Sequence, residues 1–98
     1  MTNEVLKTMI RQLKSQGVNL RNKDLLKVDE NTLRVQQKVR TRMKRKKGAD
    51  ISYDKGMDLY NVKTFDVNLN PQSSEFGETK RKNYEGMFWD NLKDLIKF

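Results

Sequence analysis

Cysteine and histidine are both absent from the 98 residues, and proline occurs once. Without cysteine there is no disulfide framework, no thiolate metal site and no cysteine nucleophile. Without histidine, Ser-His-Asp chemistry, His-ligated zinc and imidazole acid–base catalysis are excluded as well. Any catalysis would have to run on carboxylates, Lys and Tyr. Apolar runs are short too, the longest being Met87-Phe88-Trp89, far below a membrane span. The opening residues Met1-Thr2-Asn3-Glu4 show no basic segment followed by an apolar one, so a cytoplasmic protein without a secretory leader is expected. The five glycines are dispersed, with no phosphate-cradling loop among them. No cofactor, metal site or catalytic residue is expected.

The hydrophobic fraction is 35%, low for a globular chain. A single domain of this size buries only about 60–65% of its unfolded surface. With no covalent staple, a homodimer or a bound partner is a natural source of added stability.

What the chain has in excess is positive charge, and it is localised. Lys and Arg number 21 against 13 Asp and Glu, a net charge of +8. Between positions 34 and 47 lie Arg34, Lys38, Arg40, Arg42, Lys44, Arg45, Lys46 and Lys47, with no acid. Setting those eight aside leaves 13 bases against 13 acids. The net charge therefore belongs to one basic element, positions 33–48, inside a single domain, 1–98.

The clearest periodicity is helical. Val5, Leu6, Met9, Ile10 and Leu13 form one apolar stripe over Glu4–Gln16, with Thr2 or Asn3 as cap and Gly17 as stop. Two readings compete for the following segment. As strands, Leu25–Val28 and Leu33–Met43 flank a hairpin loop at Asp29-Glu30-Asn31-Thr32, and Arg34, Lys38, Arg40 and Arg42 alternate with Leu33, Val35 and Val39. As a helix, Val35, Val39 and Met43 make a stripe. Val28-Asp29-Glu30-Asn31-Thr32-Leu33-Arg34 then resembles the turn and start of the recognition helix in helix-turn-helix proteins. The strand reading is preferred.

Gly48-Ala49-Asp50 reads as a turn, and Ile51–Tyr53 with Met57–Tyr60 as a short hairpin around Asp54-Lys55-Gly56. Phe65, Val67 and Leu69 alternate with polar residues in a half-buried strand, followed by a loop over Pro71–Ser74. From Glu78 to Lys97, Tyr84, Phe88, Leu92, Leu95 and Ile96 lie at helical spacing. The expected fold is α+β: an N-terminal amphipathic helix, short antiparallel strands or hairpins in the middle, and a C-terminal amphipathic helix.

Eight cations in 14 residues repel one another unless anions meet them. Nucleic-acid backbones supply such anions, and Arg grips phosphates and guanine edges bidentately. The reading is therefore a non-catalytic nucleic-acid-binding protein (a regulator, architectural factor or replication accessory), with DNA favoured over RNA. A second cluster, Lys80, Arg81 and Lys82, would form a phosphate corner at the start of the C-terminal helix. Phe65-Asp66-Val67 followed by Gly77-Glu78-Thr79-Lys80-Arg81-Lys82 resembles the C-terminal half of a double-stranded-RNA-binding domain.

Two rivals remain. A small interaction or inhibitor protein would dock the same basic surface on an acidic or nucleic-acid-binding groove of a protein partner. A metal-dependent nuclease would use Asp66, Glu78 and Lys80, which resemble the carboxylate plus Glu-x-Lys pattern of one nuclease superfamily. Tyr53 and Tyr60 are the aromatic residues expected nearest the bases. A lipid surface is not expected, since no broad apolar face accompanies the basic run.

Overall fold

The computed structural model describes residues 4–21, 23–39, 42–96 and 98. Its order is helix α1 (Glu4–Ser15), strands β1 (Lys23–Asp29), β2 (Thr32–Gln37), β3 (Arg45–Asp54), β4 (Leu59–Asn68) and β5 (Thr79–Met87), and a 3-10 turn, Trp89–Asp94. The five strands form one antiparallel sheet in the order β1-β2-β3-β4-β5, each hydrogen-bonded to its neighbours in sequence.

One face of the sheet is covered. Leu6, Met9 and Leu13 of α1 pack with Leu33, Val35, Ala49, Ile51, Tyr60 and Val62 from the strands, and with Leu92 and Ile96 after β5. The helical stripe expected for α1 is thus the buried one, and Gly17 ends the helix with φ +85, a left-handed value that suits glycine. Gln12 anchors the helix to the sheet by accepting the Tyr60 hydroxyl at 2.6 Å. Gln16 ties the helix to the last segment, donating to the Trp89 carbonyl and accepting from the Lys93 amide.

Several expectations are corrected. The C-terminal amphipathic helix is absent: Thr79–Met87 is the edge strand β5, and only Trp89–Asp94 coils, as a 3-10 turn. The physical reasons are local. Thr79-Lys80-Arg81-Lys82-Asn83 offers no apolar residue to a helical stripe, whereas β4 needs a partner along its second edge. Gly86, at φ +67, sits where β5 carries an extra residue against β4, and Phe88 is extended and 62% exposed.

The helical reading of the basic element is overturned too. Positions 28–34 are the hairpin joining β1 to β2, so the helix-turn-helix resemblance has no counterpart. The strand reading holds only to Gln37: 38–39 and 42–44 belong to no strand, 40–41 lie outside the described residues, and the ladder resumes at Arg45. Gly48-Ala49-Asp50 is no turn but the middle of β3, where Ala49 is fully buried. The hairpin around Asp54-Lys55-Gly56 exists, closing two strands of 10 residues each. The core lies in the middle strands as well as at the chain's two ends.

Candidate nucleic-acid interface

The meander brings the two basic clusters of the sequence together. Lys47 pairs with Asp66, and Asp66 with Lys80; Gly48 pairs with Phe65, and Phe65 with Arg81. The start of β3 and the start of β5 thus flank the end of β4, with Lys44 beside them through its carbonyl, which accepts the Leu69 amide. The turns at the other end carry Asp29, Glu30, Asp54 and Asp58. The molecule is polarised along its strands.

Alternation divides the cations between the two faces of the sheet. Arg45, Lys47, Lys80 and Lys82 share the parity of the buried core residues and lie on the helix side; Arg34, Lys46 and Arg81 lie on the open side. Lys38, Arg42 and Lys44 are exposed in the β2–β3 connection, where Arg42 takes a positive φ of 69 and the Lys44 carbonyl accepts the Leu69 amide. Arg40 lies outside the described residues. Among the described residues, the expected contacts therefore gather toward one end of the sheet, with Arg34 further along it, rather than on one ribbon or one helix face. Lys80, Arg81 and Lys82 belong to that end but sit on a strand, so no helix N-terminus supports them and the double-stranded-RNA-binding-domain resemblance loses its helix.

Two carboxylates moderate this charge. Asp50 accepts Nε and a terminal nitrogen of Arg34 at 2.7 and 3.1 Å, and Asp66 accepts Nε of Arg45 at 2.9 Å. The hydrogen bond that Arg34 donates to Asp50 raises the Arg34 pKa, fixing its charge. Among the described residues, Lys44, Lys46, Lys47, Lys80, Arg81 and Lys82 take part in no ion pair. On the helix side, Lys47, Lys80 and Lys82 border a cavity of about 430 Å³ whose other wall includes Tyr84, Leu95 and Phe98.

The open face contains a feature that sequence reasoning missed. Phe65 lays its ring over Gly48, and the Arg34 guanidinium stands 5.6 Å from the ring centre. Lys63 lies on the same strand face two residues earlier, and Arg81 directly opposite. The spacing Lys63-x-Phe65-x-Val67 held the signal, but only the sheet register adds Arg34, Lys46 and Arg81 to it. Tyr53 and Tyr60, the expected stacking residues, are on the other face. Tyr60 is 5% exposed, and Tyr53 donates to Asp58 at 2.5 Å.

The residues of the nuclease reading are adjacent: Lys80 is opposite Asp66, and Glu78 immediately precedes β5. Glu-x-Lys thus opens a strand, not the helix expected. Yet Asp66 is engaged by Arg45, and among the described residues no group of three or more acids is placed to hold a metal ion. Asp50, Asp54 and Asp58 are separately engaged by Arg34, by the Gly56 and Met57 amides, and by Tyr53. No helix is long and apolar enough to cross a membrane among the described residues. Comparison with protein-family models, with curated proteins and with solved structures finds no match to this chain.

Proposed function

We propose that the protein is a non-catalytic nucleic-acid-binding module, with DNA the favoured ligand, and that it binds through the basic end of the sheet. The observation that carries this reading is the convergence of two basic clusters, over 30 residues apart in sequence, on either side of the β4 end. Like charges gathered by a fold repel one another, so their juxtaposition favours a polyanion that meets several at once. The distribution over two faces and a connecting loop suits a backbone that wraps or lies along that end. A uniformly basic coat would offer no such orientation.

The test is a salt titration of the intact chain against duplex DNA, duplex RNA and single strands. If all eight unpaired cations of the end (Lys38, Arg42, Lys44, Lys46, Lys47, Lys80, Arg81, Lys82) met duplex phosphates, the log–log slope would be about −7. Because they occupy two faces, a shallower slope of about −3 to −5 is expected. The double variant Lys46→Glu/Arg81→Glu should abolish binding, while Lys27→Glu/Lys55→Glu, an equal charge change at the acidic end, should leave most of it. Absence of binding to every nucleic acid at low salt would discard the reading in favour of a protein partner. Cleavage that requires Mg²⁺ and is lost in Asp66→Ala would replace it with the nuclease.

A further inference from the structure

The face of the sheet that α1 leaves uncovered is a mixed surface. Its centre is the half-buried Phe65, with the Arg34 guanidinium over the ring 5.6 Å from its centre and Lys46, Lys63 and Arg81 around it within one or two register steps. Gln36 and Asn83 add amide groups, and Leu26 is 45% exposed at the β1 end of the Arg34 row. Of the acids on this face, Asp50 is already held by two Arg34 nitrogens, and Asp24 lies at the β1 edge of the Phe65 row, beyond Gln36. The patch therefore combines one aromatic surface with a surrounding field of cations.

From this combination we infer that the open face binds single-stranded nucleic acid, with a base seated on Phe65 and the flanking phosphates on Lys46, Lys63 and Arg81. The inference rests on the nucleic-acid reading above and narrows it to a substrate class. Two physical arguments select a single strand over a duplex. Base faces are available for stacking only when a strand is unpaired, and an aromatic ring among cations is the arrangement that uses them. Secondly, five strands about 4.8 Å apart span roughly 19 Å, too broad for a major groove about 12 Å wide. A face of that width cannot bring Phe65 to the base edges of a duplex, although it can lie along a flexible single strand. Gly48 contributes by lacking a side chain: the Phe65 ring occupies the space that a Cβ there would need.

The test compares fluorescently labelled 12-nucleotide oligo-dT and oligo-U with a 12-base-pair hairpin duplex, titrated with the full chain at low salt. Single strands should bind at least about tenfold more tightly than the duplex, and the two oligomers report which sugar is preferred. Phe65→Leu keeps an apolar cover on Gly48 but removes the ring, and should weaken single-strand binding about tenfold. Its duplex binding should change less than twofold. Because that variant touches packing, Lys63→Glu/Arg81→Glu at two exposed positions provides a second reading. It should cost more single-strand affinity than Lys80→Glu/Lys82→Glu on the helix side. Duplex binding equal to or tighter than single-strand binding, or indifference to Phe65→Leu with equal losses in the Lys63→Glu/Arg81→Glu and Lys80→Glu/Lys82→Glu variants, would overturn the inference and leave the broader reading standing. Failure to bind any of the three would remove both.

Discussion

Phe65 faces Gly48 across the β3–β4 ladder, and its ring occupies the space that a Cβ at position 48 would need. An ideal Cβ there would come within 2.3 Å of Cζ and 2.7 Å of Cε2 of Phe65, and within 2.9 Å of the Gln36 Cβ. The ring alone could swing away, but the Gln36 Cβ is fixed to the β2 backbone. Gly48→Ala should therefore destabilise the fold by about 1–3 kcal/mol, and Gly48→Val by more. Chemical denaturation with an unchanged m-value is the measurement; a neutral Gly48→Ala would show that the ring does not rest there.

Gly17 is a contrasting case, because nothing lies within 4 Å of the Cβ it lacks, yet its φ is +85. Gly17→Ala should cost about 1 kcal/mol through backbone conformation alone. Its unfolding curve should shift without any change in nucleic-acid binding, since the substitution lies at the end of α1, away from the starts of β3 and β5.

These two glycines show what was legible in the sequence and what was not. Helix α1 follows from a stripe over consecutive turns, a local pattern that needs no partner to be read. Its stop at Gly17 is equally local. Gly48 looks like a turn signal for the same local reason, but its role is set by Phe65, 17 positions further on, which covers it from the next strand. Thr79–Met87 fails differently. Its residues carry neither a helical stripe nor clean apolar alternation, and β4's unpaired edge decides their state. The basic residues were identifiable from charge alone. Their division between two faces was not, because it depends on where β2 stops and β3 begins.

Ionisation of Tyr60 should set an alkaline limit to stability. Burial raises its pKa, with nearby Tyr53 adding to the shift, while the hydrogen bond to Gln12 opposes it. Tyr53 is raised as well, first by its hydrogen bond to Asp58. For a raised phenol the folded state prefers the neutral form. The stabilisation is whole below the unfolded value of about 10 and is lost as pH climbs through the higher folded value. Thermal unfolding midpoints should hold up to pH 10 and fall above it, and Tyr60→Phe should flatten that fall. A decline in Tyr60→Phe as steep as in the wild type would assign the alkaline limit elsewhere.

Asp66 offers a way to strengthen binding without adding a base. It is an acid at the centre of the basic end, paired with Arg45, and both partners are partly exposed, Asp66 at 27% and Arg45 at 44% of their side-chain surface. A pair so open to water contributes at most about 1 kcal/mol to folding. Asp66→Asn removes one negative charge and releases Arg45 to meet a phosphate. Nucleic-acid affinity at low salt should rise, and the log–log salt slope should steepen by up to about one unit. The same substitution in a metal-dependent nuclease would remove a ligand and abolish cleavage, so tighter binding and lost cleavage are opposite signatures of one variant. Measuring both on a single preparation separates a binding end, where Asp66 restrains affinity, from a catalytic one, where it is required.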